Sequence, residues 1–78
     1  MMACIQGHGS KGDEVQVLDV SRGGISFLSK HVYEKDSWIN VSVPYTPGTA
    51  NIFVASMIVR KQAVQDGYYE YGVKYVKG

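Results

Sequence analysis

Glu14-Val15-Gln16-Val17-Leu18-Asp19-Val20-Ser21-Arg22-Gly23-Gly24-Ile25-Ser26-Phe27-Leu28 reads as a strand, a glycine turn and a second short strand. Val15 and Val17 alternate with Glu14 and Gln16, the period of two that leaves one face of a strand on a core and the other in water. Gly23-Gly24 supplies backbone freedom at the turn. Two alternating segments this close together build antiparallel sheet.

The same logic runs outward. Residues 37–43 alternate again, with Ile39, Val41 and Val43 inward and Asn40 and Ser42 outward. Pro44-Tyr45-Thr46-Pro47-Gly48 stops that strand, because proline cannot donate to a ladder. Residues 51–61 form a longer apolar strand, Gln65-Asp66-Gly67 is a hairpin turn of the Asp-Gly kind, and residues 68–76 return. In that last strand Tyr69, Tyr71, Val73 and Tyr75 share one face, and Glu70 and Lys74 the other. Residues 30–36 are a loop or a helical turn. Five strands with short connections predict an all-β fold, a small antiparallel β-barrel, since an open sheet of this size would expose its edges. Val17, Ile39, Val41, Val54, Val73 and Tyr75 are its expected core.

The start of the chain is read differently. Gly7-His8-Gly9-Ser10 and Gly12 offer little to bury, so residues 1–13 are expected to be a flexible segment or a tag remnant, with the barrel spanning 14–78. The barrel is then short of its first strand. An uncovered edge invites pairing with another chain, so a homo-oligomer is expected, with residues 1–5 exchanged between subunits.

At 78 residues the chain is one domain. Its single cysteine, Cys4, excludes an internal disulfide, and His8 and His31 have no second ligand at zinc spacing. Hydrophobic residues make up 45% and charged residues 19%, a globular composition. Eight basic against seven acidic residues give a net charge of +1, which argues against a nucleic-acid-binding face. No apolar run is long enough to cross a bilayer and no signal peptide is evident, which points to a cytoplasmic location.

Chemistry is concentrated in Asp19-Val20-Ser21-Arg22-Gly23-Gly24. Asp19 and Ser21, two apart at a strand end, point to one side. A carboxylate accepts from a nucleobase edge, a hydroxyl and main-chain amides meet phosphate oxygens, and Arg22 adds a cation. The residues alone leave a second reading open, in which Asp19 and Ser21 cap a tight turn that the glycines shape.

This stretch resembles the Asp/Asn-x-Ser-x-x-Gly hallmark of PilZ domains, matched by Asp19, Ser21 and Gly24 and continued by Ile25-Ser26-Phe27. The proline-bearing turn, the strand ending in Val59-Arg60 and the closing Gly72-Val73-Lys74-Tyr75 follow in the family's order, so the resemblance covers about residues 14–76. It implies a β-barrel that binds the bacterial second messenger cyclic di-GMP and changes its contacts with an effector protein or attached domain. Asp19, Ser21, Arg22, Gly23 and Gly24 are then the candidate ligand-binding residues. The family's second motif, Arg-x-x-x-Arg, has no match here: the only arginines are Arg22 and Arg60, and Lys11 is the only basic residue ahead of Asp19. Guanidinium forks clamp phosphates in a way lysine does not reproduce, so weak or absent ligand binding is expected.

Two other functions stand beside this one. A PilZ-like domain without ligand would serve protein–protein contact alone, and Trp38, out of phase with Ile39 and Val41, would mark a contact patch. A small oligonucleotide-binding barrel would stack bases on Tyr45, Tyr68, Tyr69, Tyr71 and Tyr75, although such tyrosines are more often core. No nucleophile–base pair or metal set can be assembled, and His31 reads as a solvated loop histidine, so neither an enzyme nor a cofactor is expected.

Overall fold

The chain forms six strands in the computed structural model, which describes residues 1–7 and 9–76. They are β1 (Met2–Gly7), β2 (Ser10–Val20), β3 (Gly24–Ser29), β4 (Trp38–Ser42), β5 (Val54–Ala63) and β6 (Tyr69–Tyr75). The order β1-β2-β3-β6-β5-β4 closes on itself through β4 and β1, and every neighbouring pair is antiparallel. The fold is the expected all-β barrel. No helix of the described residues is long and apolar enough to cross a membrane.

The first strand is present, which corrects the expectation for residues 1–13. Met2–Gly7 pairs with β2 on one side (Ala3 opposite Val15) and with β4 on the other (Ile5 opposite Val41). The barrel therefore begins at Met2 rather than at residue 14. Gly7 and Gly9, taken as signs of an irregular tail, instead have φ of +139° and +82° where the chain reverses from β1 into β2, a conformation glycine adopts at no steric cost. Ala3, Cys4 and Ile5 are all buried, so the strand carries no alternation to read. Closure also removes the open edge on which the expected oligomer and the exchange of residues 1–5 rested. His8, read as part of the irregular stretch, lies outside the described residues, as do residues 77–78.

Val17, Ile39, Val41 and Val73 are buried as expected, and Tyr75 packs against them half-buried. Val54 is 40% exposed, because it opens β5 beside the exposed 44–53 connection. Ser42, expected outward, is buried. The Asp-Gly turn between β5 and β6 forms as read, with Asp66 and Gly67 both at positive φ (60° and 78°).

The loop after β3 holds the least expected core residue. Tyr33 is fully buried, its ring edge-on to Phe27 and to Tyr71 (centroids 6.3 and 5.3 Å). Its hydroxyl donates to Asp13 Oδ2 (2.7 Å), which also accepts from Ser29 Oγ. Tyr71 Oη accepts from the Tyr33 amide (2.9 Å) and donates to the His31 carbonyl (2.8 Å). The loop is tied to the barrel interior at both tyrosines. Burial, reinforced by the hydrogen bond to Asp13, pushes the Tyr33 hydroxyl well above its ordinary value of 10.0, and burial raises Tyr71 as well.

Two outcomes follow for stability. Ile5→Ala removes fully buried methyl groups from the closing strand and should lower the unfolding free energy by about 2–5 kcal/mol in urea titration, whereas Ile52→Ala, at 83% exposed, should leave it nearly unchanged. Equal effects would contradict the assignment of β1. Because tyrosine pKa values are raised in the folded state, their contribution is fully present below pH 10 and declines as pH rises above it. Thermal melts should therefore fall steeply above pH 10, and less steeply in Tyr33→Phe.

Candidate functional site

Strict alternation would turn Asp19 and Arg60 into the barrel. Val15 and Val17 face inward, so Asp19 is next in phase; Ser56 and Ile58 face inward, so Arg60 is next in phase. Two β-bulges prevent this. The β2–β3 register slips between Val17 and Asp19, and the β5–β6 register slips between Ile58 and Arg60. Each bulge places an extra residue (Leu18, Val59) against its partner strand and re-aims the side chain that follows. Asp19 and the Arg60 side chain, 57% exposed, consequently lie on the outer surface.

The ladders then align them. Asp19 is opposite Ser26, Ser26 opposite Gly72, and Gly72 opposite Arg60, one row crossing β2, β3, β6 and β5. Directly opposed residues share a face. The row floors an open cleft of about 320 Å³ that Ser21 and Gly24 also line. Gly72 leaves room for arginine: a Cβ there would stand 3.3 Å from Arg60 Cβ and 3.4 Å from Nε. The guanidinium lies across that gap and donates from Nη2 to Glu70 Oε2 (3.2 Å). An ion pair this exposed contributes about 0–1 kcal/mol, so the guanidinium leaves it readily.

The motif itself is a tight turn. Ser21 donates to the Gly24 carbonyl from both its amide (2.9 Å) and its hydroxyl (3.2 Å). The Val20 amide donates to Asp19 Oδ1 (3.0 Å), and Asp19 Oδ2 has no hydrogen-bond partner among the described residues. The turn-capping chemistry is present, and it leaves one carboxylate oxygen of a cleft-lining residue without a hydrogen bond. Neither motif glycine needs positive φ, contrary to expectation. Gly24 is required by proximity instead, since a Cβ would meet the Val73 carbonyl oxygen at 1.8 Å. Gly23 faces open space, and its carbonyl accepts from the Tyr75 amide (2.7 Å).

Of the five candidates, Asp19, Ser21 and Gly24 come together in the cleft. Arg22 and Gly23 line a neighbouring cavity with Trp38 and Lys74. Arg60, Gly72 and Ser26 were missed as site residues. Arg60 and Gly72 stood out only as landmarks of the family's strand order and Ser26 only as the continuation of the motif, and the bulge that exposes Arg60 leaves no mark in the pattern. Tyr71 is buried inside the barrel and Tyr69 and Tyr75 pack partly buried against its core, so the row of tyrosines is not an open stacking platform for bases.

Gly24→Ala should cost at least about 3 kcal/mol in chemical denaturation, at the upper end for overpacking, because backbone rather than a movable side chain stands in the way. Gly23→Ala should be tolerated. Similar midpoints for the two variants would contradict this account of the turn.

Comparison with known proteins agrees with this fold. The family model described as PilZ domain matches residues 2–78, including the strand Met2–Gly7 that the sequence reading left out. No curated protein and no solved structure matches significantly. PilZ domains are a family of regulatory, cyclic di-GMP-binding barrels, and this chain belongs to it.

Proposed function

We propose that the chain is a regulatory module, cytoplasmic and bacterial, whose outer cleft takes one edge of cyclic di-GMP with low affinity. The observation that carries this is the convergence of Asp19, Ser21 and Gly24 with Arg60 over a single cleft. Asp19 Oδ2 is the acceptor for a guanine edge, and the Arg60 guanidinium is the partner for a phosphate. Ser21, whose hydroxyl is engaged across the turn, positions rather than grips. Arg22 and Gly23, in the same turn but facing the adjacent cavity, are rim contacts at most.

Low affinity follows from charge and volume. The ligand is a dianion, and the cleft presents one arginine that is already paired to Glu70. A charge-assisted hydrogen bond contributes roughly 1.5–3 kcal/mol, about ten- to a hundredfold in affinity, and this cleft offers one guanidinium for two phosphates. A cleft of about 320 Å³ is at the small end for ligand sites and holds one base and its phosphate rather than a whole cyclic dinucleotide.

Calorimetry with cyclic di-GMP tests this. The wild type should bind weakly, in the micromolar range or above. Arg60→Ala should lower affinity about tenfold or more, and Asp19→Ala should lower it too, while Glu70→Gln, which frees the guanidinium, should raise it. Sub-micromolar binding by the wild type would overturn the low-affinity reading. Indifference to Arg60→Ala and Asp19→Ala would overturn the assignment of the cleft.

A further inference from the structure

A second row crosses the same outer face. Trp38 is opposite Met57, Met57 opposite Lys74, and Lys74 opposite Gly24, so the row runs over β4, β5, β6 and β3. On β3 and β6 it lies two residues from the row of Ser26 and Gly72, about 7 Å away at the strand rise. The second row begins with two large apolar side chains, Trp38 and Met57, where the first begins with Asp19 and ends with Arg60. Trp38, Met57, Tyr75 and Val76 line a groove of about 600 Å³, and Trp38 is 56% exposed. Arg22 and Lys74 flank it, no acidic side chain lines it, and neither cation has an ion-pair partner among the described residues.

The floor under this groove is fixed. The Tyr75 amide is bound to Gly23 O (2.7 Å) and the Val76 amide to Ala55 O (2.9 Å), which holds the end of β6 between β3 and β5. A large aromatic left in water on rigid strands forfeits apolar burial until something covers it. Tryptophan, tyrosine and arginine are also the residue types on which protein interfaces concentrate their binding energy.

We infer that this groove docks an acidic segment of a partner protein, with an aromatic or aliphatic side chain seated on Trp38 and Met57 and carboxylates reaching Arg22 and Lys74. Charge complementarity selects the occupant: two unpaired cations beside an apolar floor favour carboxylates flanking an apolar anchor and disfavour a basic segment. This deepens the reading of the chain as a regulatory module by naming the surface and chemistry of its output. The test needs no dinucleotide, so it fails or succeeds separately from the cleft assignment.

The probe is a displayed library of random peptides, selected on the wild-type chain and measured by fluorescence anisotropy. Enriched peptides should combine aspartate or glutamate with tryptophan, phenylalanine or leucine. Their affinity should fall about tenfold or more with Trp38→Ala and with Lys74→Glu, both at exposed positions whose loss should leave the far-UV circular dichroism unchanged. Replacing the peptide carboxylates by lysines should abolish binding to the wild type and restore it to the double variant Arg22→Glu, Lys74→Glu. Four outcomes would overturn the inference: no enrichment, enriched peptides without acidic residues, binding indifferent to Trp38→Ala, or concentration-dependent self-association lost in Trp38→Ala, which would make a second copy the occupant.

Discussion

Met2–Gly7 has hydrogen-bonded partners on both sides, and this double pairing makes the molecule a barrel rather than a curled sheet. Without it β2 and β4 would each present an open edge. With it, the chain buries Ile5, Phe27, Ile58, Tyr71 and Tyr33 completely, and every buried side-chain nitrogen or oxygen among the described residues has a hydrogen-bond partner. A chain this short has little stability in reserve, and no disulfide adds to it. Closure is how so few residues hide a core from every direction. Met1 and Met2 extend the seal at one end, their carbonyls accepting from the Val17 and Tyr45 amides.

A closed barrel also fixes its outer surface. Each strand is held in register by two neighbours, so cross-strand rows are set with little freedom to slide. The two bulges act within that rigid frame. Each spends one residue of register to bring a charged side chain out where alternation would have buried it, at high cost for an unpaired charge. The polar cleft is therefore a product of broken alternation, and the apolar groove beside it is a product of alternation kept.

That difference explains what the sequence could disclose. The strands of β2, β3, β4 and β6 and the Asp-Gly turn were legible because one buried face imposes a period of two. β1 was not, because its Ala3, Cys4 and Ile5 are buried in succession and its flanking glycines look like loop. Tyr33 was not, because a loop residue that enters a core answers to Asp13 and Tyr71, distant in sequence. Within the site, Asp19, Ser21 and Gly24 were legible as a motif, although Gly24 is held by the Val73 carbonyl rather than by positive φ. Arg60 was not, because a one-residue slip in register has no compositional signature.

The two rows share strands β3 and β6, and their spacing sets the strength of any communication between them while their charges set its sign. A distance of about 7 Å is within the Debye length of roughly 10 Å at moderate salt, so charge on one row is felt on the other. A dianion over Asp19 and Arg60 would offset the positive potential of Arg22 and Lys74 and weaken their hold on carboxylates. Linkage makes the effect reciprocal: an acidic segment on the Trp38 groove would weaken the dianion by the same factor. No strand need move for this. Field alone, across one rigid sheet, gives negative coupling, and its size would fall as salt shortens the screening length. A module built this way would loosen its partner when its ligand arrives, and Arg22, which lines the apolar groove from the turn that joins Asp19 to Gly24, would be the cation to carry that effect.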